Sequence, residues 1–382
     1  MAEIVMNQEK VASSRADRPS SFALTDLPVP TGREEDWRFT PLERVEALFE
    51  PANYVGTVLP AIEAAKPAIV ETVERTDSRL GKVQAPGDRT AVVAWNTFTQ
   101  AAVLTVPAGA QIDEPIYVRF TGEGISGPLA SHLLIDVQKG AKAQVIIEHV
   151  GSMIVNGTVE VNVGEDATLE LVSLQEWDDD AVHASNHRIN LGANSSLKHI
   201  VVTLGGKTVR LCPDVNFVGE GAEVDMLGLY FTDTDQHQEH RLYVDHDLRN
   251  CRSRVTYKGA LQGRGAHSVW IGDVLIGSGA FGTDSYELNR NLVLNEGAIA
   301  DSVPNLEIEN GDIEGAGHAS ATGRFDDEQL FYLMSRGIDE QRARKLVVHG
   351  FFAELINQID IDHVEKRLLA AVDAELEAGG NV

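Results

Sequence analysis

The groups in this 382-residue chain that could bind a metal or move a proton are twelve histidines, two cysteines and 58 acidic residues. The densest set is Gln236-His237-Gln238-Glu239-His240, followed by Asp245-His246-Asp247. On a strand, residues two apart share a face, so His237 and Glu239 point one way and His240 the other. A metal there needs several imidazole or carboxylate ligands at about 2.0–2.2 Å; polar residues bonded within the protein are the plainer alternative. His318 stands between Glu314 and Gly323 among Gly, Ala and Ser residues too small to bury it. An accessible imidazole at such a place suits a soft or borderline metal, or a structural hydrogen bond. Cys212 and Cys251 are isolated, with no C-x-x-C, and read as small buried hydrophobes.

Three nucleotide-binding patterns fail on context. Gly122-x-Gly124-x-x-Gly127 and Gly277-x-Gly279-x-x-Gly282 match the dinucleotide fingerprint as letters, but neither opens a helix that could aim its N-terminus at a pyrophosphate. Gly206-Lys207-Thr208 resembles the end of a P-loop, yet Val201 replaces the leading glycine, so a turn is expected. There is no G-x-S-x-G elbow, no H-E-x-x-H and no convincing hydrolytic triad.

The elements that would position these groups follow from composition and pattern. Net charge is −26, which argues against phosphate-backbone binding and against adhesion to an anionic membrane. No apolar run reaches the roughly 18 residues of a membrane span. The polar start carries no hydrophobic secretory segment and only two cysteines occur, so a soluble cytoplasmic protein with reduced thiols is expected. Residues 86 to about 312 read as successive strands, for example Thr158–Val163, Leu169–Val172 and Val269–Ile276. A Gly-Ala pair or close variant recurs at Gly109, Gly140, Gly164, Gly192, Gly221, Gly265 and Gly297, at intervals of 31, 24, 28, 29, 44 and 32 residues. That period, with no helix between, favours stacked coils of strands over a β-sandwich. Gly supplies the φ > 0 corner and Ala fits where coils pack closely.

Helical patterns flank this core. Leu42, Val45, Leu48 and Phe49 follow Thr40-Pro41, and residues 63–80 carry a weaker pattern. Beyond Gly323, Asp326 with Gln329 resembles a capping box, Gly337 a helix C-cap and Asp339 an N-cap. Ala343, Leu346, Val347, Gly350, Phe351 and Leu355 form one apolar stripe, and Val364, Leu368, Val372 and Leu376 another. The expected division is a helical region at 1–85, a β core at 86–318 and a helical domain at 319–382, with helices covering the ends of the coil.

Particular stretches resemble the SufB/SufD family of iron–sulfur cluster assembly scaffolds. They are Gly228-Leu229-Tyr230, Gln236-His237, His246, Tyr257-Lys258-Gly259, Asn289-Arg290-Asn291-Leu292, Pro304 to Ile308, Gly317-His318-Ala319 and Asp327 to Ile338. Near the start, Glu34-Glu35-Asp36-Trp37-Arg38-Phe39-Thr40 is similar to the family's N-terminal signature. Length and the lack of an N-terminal cysteine cluster favour the SufD branch. The resemblance implies a mainly β, right-handed parallel β-helix (solenoid) flanked by N- and C-terminal α-helical regions. It implies a non-catalytic subunit that pairs with SufB through the β-helix ends and docks SufC, an ABC-type ATPase. The nascent iron–sulfur cluster would form transiently at the SufB interface. The family pattern Cys-Ser-His-Gly-Ala-Thr-Val-Gly maps onto Ala316 to Gly323. His318 thus keeps the histidine, a cluster or metal ligand, while Ala316 replaces the cysteine. Asp327, Gln329, Leu330, Phe331, Tyr332, Arg336 and Phe351 are the implied partner-binding residues. A homodimer in isolation stays open, as does an alternative in which the coil acts on polysaccharide through carboxylates or through His237, Glu239 and His246.

Overall fold

The computed structural model describes residues 17–325, 327–359 and 361–378, and its architecture is a parallel β-solenoid of about eight turns. The N-terminal segment holds 3-10 turns and a four-residue helix, α1 (Leu42–Val45). Three short strands follow, β1 (Gly56–Thr57), β2 (Ala61–Glu63) and β3 (Ile69–Glu74), and then α2 (Arg89–Thr97). The solenoid runs through β4 (Gln100–Val106), β5 (Ile116–Val137), β6 (Lys142–Val163), β7 (Thr168–Trp177), β8 (Val182–Leu191), β9 (Ser196–Thr203) and β10 (Thr208–Phe217). It continues through β11 (Glu223–Thr232), β12 (His237–His246), β13 (Arg252–Leu261), β14 (His267–Ile276), β15 (Asp284–Val293), β16 (Ile299–Ile308) and β17 (Gly315–Arg324). Three helices end the chain: α3 (Asp327–Ser335), α4 (Glu340–Ile356) and α5 (Asp362–Ala378).

Each coil contributes one strand to each of two parallel ladders. One ladder stacks β4, the later halves of β5 and β6, and then β8, β10, β12, β14 and β16. The other stacks the first halves of β5 and β6, and then β7, β9, β11, β13, β15 and β17. Strands β10, β12, β14 and β16 start about 30 residues apart, the period that the sequence pattern implied. Side chains alternate between a shared interior and two outer faces. The interior core draws on both ladders, with Val145, Leu171, Leu211, Val224, Val244 and Val274 fully buried.

The corners explain the Gly-Ala repeat, with one amendment. Gly109, Gly140, Gly221, Gly265 and Gly297 all have positive φ. In the turns at Gly164 and Gly192 that conformation passes to Asp166 and Asn194, which tolerate it better than most residues. Gly164 is needed there for room: a Cβ would stand 2.8 Å from the Lys139 backbone nitrogen. The left-handed residue donates its N–H to the next coil, from Gly109 to Lys139, Gly140 to Glu165, Asp166 to Ala193 and Asn250 to Phe281. A small buried residue follows it: Ala141, Ala167, Ser195, Ala222 or Thr283. Cys251 occupies that same corner place and is fully buried, so its role is packing. The three glycine patterns that mimic nucleotide motifs are a strand bend in β5 and the turns before β10 and β15.

Several local expectations change. Residues 69–74 form β3, antiparallel to β4, instead of a helix. Helix α2, capped by the Asp88 carboxylate on the Ala91 N–H at 2.8 Å, lies where strands were expected. The strand zone extends through β17 to Arg324, so His318 sits within a strand and not at a strand-to-helix boundary. Asp326 of the expected capping box lies outside the described residues, whereas Asp339 does cap α4, accepting from the Arg342 N–H, and Gly337 closes α3 with positive φ.

The terminal segments cover flanks more than ends. Helices α4 and α5 pack through Val348, Phe352, Leu355, Val364, Leu368 and Val372 against Ile146, Val172, Leu174, Ile200 and Leu229, on the outer face of the β7-containing ladder. The expected α4 stripe is therefore rotated. Val348 and Phe352 are buried, while Leu346 is 47% exposed. The N-terminal segment covers the other ladder with Trp37, Val45, Leu48 and Phe49 against Val182 and Ala184. β2 and β3 add antiparallel strands at the first coil. The last coil has no such cover among the described residues. Strand β17 pairs only with β15 in its ladder, and β16 only with β14.

Candidate functional site

At this last coil the burial pattern inverts. Residues of β14 are almost all buried, those of β16 are mostly half-exposed, and β17 is exposed from His318 onward. The backbone edge of β17 is thus a row of unpaired groups, a template for another strand or subunit. Ala316 packs against the interior core and the Thr322 hydroxyl accepts from Asn291 Nδ2 at 3.3 Å. His318 lies between them with the same parity, so it stands over the open mouth of the solenoid and is exposed.

Below it the interior turns polar. Tyr230 Oη bonds Asn291 Oδ1 at 2.5 Å and accepts from Asn289 Nδ2 at 3.0 Å. Ser302 donates to Asn289 at 2.8 Å. Glu287, in register with His318, is 4% exposed, and burial pushes its carboxyl up to about 8, with Asp273 adding to the shift. Neither of its oxygens has a hydrogen-bond partner among the described residues. Two family-like motifs meet here as reciprocal pairs. Gly228 lies opposite Tyr257, and Tyr230 opposite Gly259. A Cβ at either glycine would enter the facing tyrosine ring, so each glycine seats an aromatic.

The histidine-rich stretch divides as its spacing implied. His240 is inside the solenoid, stacked on Tyr230 and bonded through Nε2 to Thr203 Oγ1 at 2.9 Å. His237 and Glu239 lie outside, 3.3 Å apart, beneath the N-terminal segment. There Glu239 takes the Thr40 hydroxyl at 2.7 Å and Arg210 Nε at 3.3 Å, and Arg210 stacks on Trp37 at 3.9 Å. The guanidinium holds the Glu239 carboxylate at about 2 in spite of burial. His237 and Glu239 are each 1% exposed and His246 is fully buried, against Ser253. In the form that uses these three residues, the polysaccharide-acting alternative needs them in an open groove, and the structure seals them. Burial also drives His149 and His199 down to about 4 and His240 and His246 to about 3. Among the described residues no group of three or more His, Cys, Asp or Glu is arranged to hold a metal.

The residues expected to meet a partner separate by burial. Phe331 and Tyr332 are 74% and 57% exposed, with Arg336 over the Tyr332 ring at 5.2 Å. Leu330 is 8% exposed and Phe351 is half-buried beside Phe352, its carbonyl taking Lys258 Nζ at 2.9 Å. Asp327 and Gln329 lie on α3, but their side chains fall outside the described residues. Met334 and Leu346, which sequence reading did not single out as surface, are also exposed, on α3 and α4. The site residue that it missed is Glu287, which looks like one more outward acid in a strand.

Comparison with known proteins points the same way. A family model described as "SUF system FeS cluster assembly, SufBD core domain" matches residues 119–351. An iron–sulfur cluster assembly SufBD family protein of Mycobacterium leprae is 49% identical over 364 residues, 94% of this chain and 93% of that protein. A Mycobacterium tuberculosis relative of the same description is 46% identical, across 97% and 95%. The iron–sulfur cluster assembly protein SufD of Escherichia coli is 25% identical over 386 residues, 92% and 90%.

Proposed function

The chain belongs to the SufBD family of the SUF iron–sulfur cluster assembly system, and we propose that it is the SufD-type scaffold subunit. In this reading it pairs with a SufB-type subunit through the open end of its solenoid. A nascent cluster, the cargo of the complex, passes over His318 at that seam. The observation that carries the proposal is one exposed imidazole on the terminal strand, which pairs with β15 on one side and with no other strand of its ladder among the described residues. An imidazole without a neighbouring thiolate ligates iron weakly, which suits cargo that must leave. With Ala316 in place of a cysteine, thiolates would come from the partner.

The exposed apolar residues of α3 and α4, Phe331, Tyr332, Met334 and Leu346, are the proposed dock for a SufC-type ABC ATPase. Helix α4, which carries Leu346, is tied to the solenoid flank by Lys258, whose Nζ reaches Glu354 at 2.8 Å, and α5 by Arg367, which pairs with Glu148 and Glu176. Motion of a docked ATPase would therefore reach the strands through α4. No described helix is long and apolar enough to cross a membrane, and both cysteines are free. We assign a cytoplasmic, non-catalytic role. Without its partner, the same β17 edge would allow a homodimer.

The test is His318→Ala in the complex co-expressed with SufB- and SufC-type chains. The expected result is normal complex formation with at least tenfold less cluster recovered anaerobically. Unchanged cluster recovery would remove the ligand role.

A further inference from the structure

Among the described residues, buried glutamates are paired, with one exception. Glu148 has Arg119 and Arg367, and Glu160 has His132 together with the Gly81 and Val83 N–H groups. Glu170 accepts from Gln144, and Glu239 has Arg210, His237 and Thr40. Glu287 is 4% exposed, and neither of its oxygens has a partner among the described residues. A buried carboxyl left without donors is costly and calls for an explanation.

Its position supplies one. Ser285, Glu287, Asn289 and Asn291 alternate into the interior of β15. Glu287 pairs in register with His318 on β17, one coil nearer the mouth. In a parallel ladder, paired residues point the same way, with strands about 4.8 Å apart. The carboxyl reaches across the interior to Gly272 of β14, where a Cβ would stand 2.6 Å from Glu287 Oε1 and 2.5 Å from the Trp270 ring. The missing side chain at 272 is therefore what makes room for the carboxyl. No Lys or Arg among the described residues pairs with Glu287, while His318 above it is exposed to whatever enters the mouth.

We propose that Glu287 and His318 form a two-ligand site for a borderline divalent cation of the ferrous type at the mouth of the solenoid. One carboxylate oxygen and one imidazole nitrogen match the ligand preferences of such ions. The remaining positions fall to water in the free chain and to the partner in the complex. The site rests on the reading of His318 as the residue that meets the cargo, and it adds a ligand that belongs to this chain alone.

The experiment uses the isolated full-length chain, stripped of metal and titrated with Co²⁺ in excess Mg²⁺, which occupies the acidic surface. Binding is read from the visible cobalt spectrum. Glu287→Gln keeps the shape of the side chain and removes the anionic ligand. It should weaken Co²⁺ binding at least tenfold, as should His318→Ala, and both should abolish the rise in Tm that Co²⁺ gives the parent. Far-UV circular dichroism confirms that each variant is folded. Parental Co²⁺ affinity in Glu287→Gln overturns the inference. Should that happen while His318→Ala still depletes cluster from the complex, the proposed function stands and only the two-ligand site falls. Should Glu287→Gln weaken Co²⁺ while His318→Ala leaves cluster recovery intact, the cation site stands and the proposed function falls.

Discussion

Arg210 is the pin between the N-terminal segment and the solenoid, and its removal has a calculable cost. The side chain is 2% exposed. It donates through Nη1 to Asp88 at 2.6 Å and through Nε to Glu239 at 3.3 Å, and it stacks on Trp37 at 3.9 Å. Arg210→Met fills much of the same volume but leaves two carboxylates without their cation. Breaking one side of a buried pair costs about 3–5 kcal/mol, and loss of the stacked ring adds up to about 2 kcal/mol. These contributions share one side chain and do not simply add, so a loss of about 3–5 kcal/mol is expected. Urea denaturation measures it. Hydrogen exchange should show residues 17–50 released while β7 to β14 stay protected. Adding Glu239→Gln to Arg210→Met should recover about 1–2 kcal/mol, because the orphaned charge is gone. A loss under about 1 kcal/mol, or undiminished protection of residues 17–50, would refute the claim that the guanidinium pins the segment.

Further outcomes follow from other features. Acid should unfold the protein early. His149, His183, His187, His199, His237, His240 and His246 all have folded values below the usual 6.5. The unfolded chain therefore binds more protons, and stability falls as pH drops from about 6.5 towards 4. Asp245 and Glu375, raised to about 7, and Glu287, raised to about 8, act in the opposite sense. The seven histidines outnumber the three carboxyls, so below about pH 6 the balance favours proton uptake on unfolding and stability falls by several kcal/mol per pH unit, to order of magnitude, readable as urea midpoints at pH 5.0, 5.5, 6.0 and 6.5; a flat series would contradict neutral buried histidines. Gly259→Ala should cost about 1–3 kcal/mol because its Cβ enters the Tyr230 ring, and a thermal melt checks it. Phe331→Ala with Tyr332→Ala should weaken capture of a SufC-type chain by about 2 kcal/mol or more, measured by calorimetry, with fold and Tm unchanged.

Much of the solenoid was legible because its chemistry is periodic. Alternation gave the strands, and the spacing of the Gly-Ala corners gave the coil. The corner rule was incomplete because Asp166, Asn194 and Asn250 also adopt positive φ, so a search for glycine alone skips coils. Helix α4 misled because it carries apolar residues on two faces. Val348 and Phe352 meet the solenoid and Leu346 does not, and period alone cannot say which face finds a partner. Residues 69–74 became a strand because the β4 edge was there to pair with, a tertiary cause absent from local pattern. Accessibility of His318 followed from its small neighbours. Glu287 stayed hidden because its burial depends on Gly272, on another strand. Local pattern let the terminal helices cover the ends of the coil, and only the family resemblance pointed to an end that a partner completes; the helices α4 and α5 lie along the flank.

The most direct measurement is hydrogen exchange across β17, Gly315–Arg324, in the free chain and in a complex with a SufB-type chain whose mass confirms that it is intact. The mating seam requires the β17 amides that face away from β15 to exchange rapidly alone and at least tenfold more slowly in the complex. Equal exchange in both would show that the partner sits elsewhere and that His318 does not lie at the place where the cluster is built.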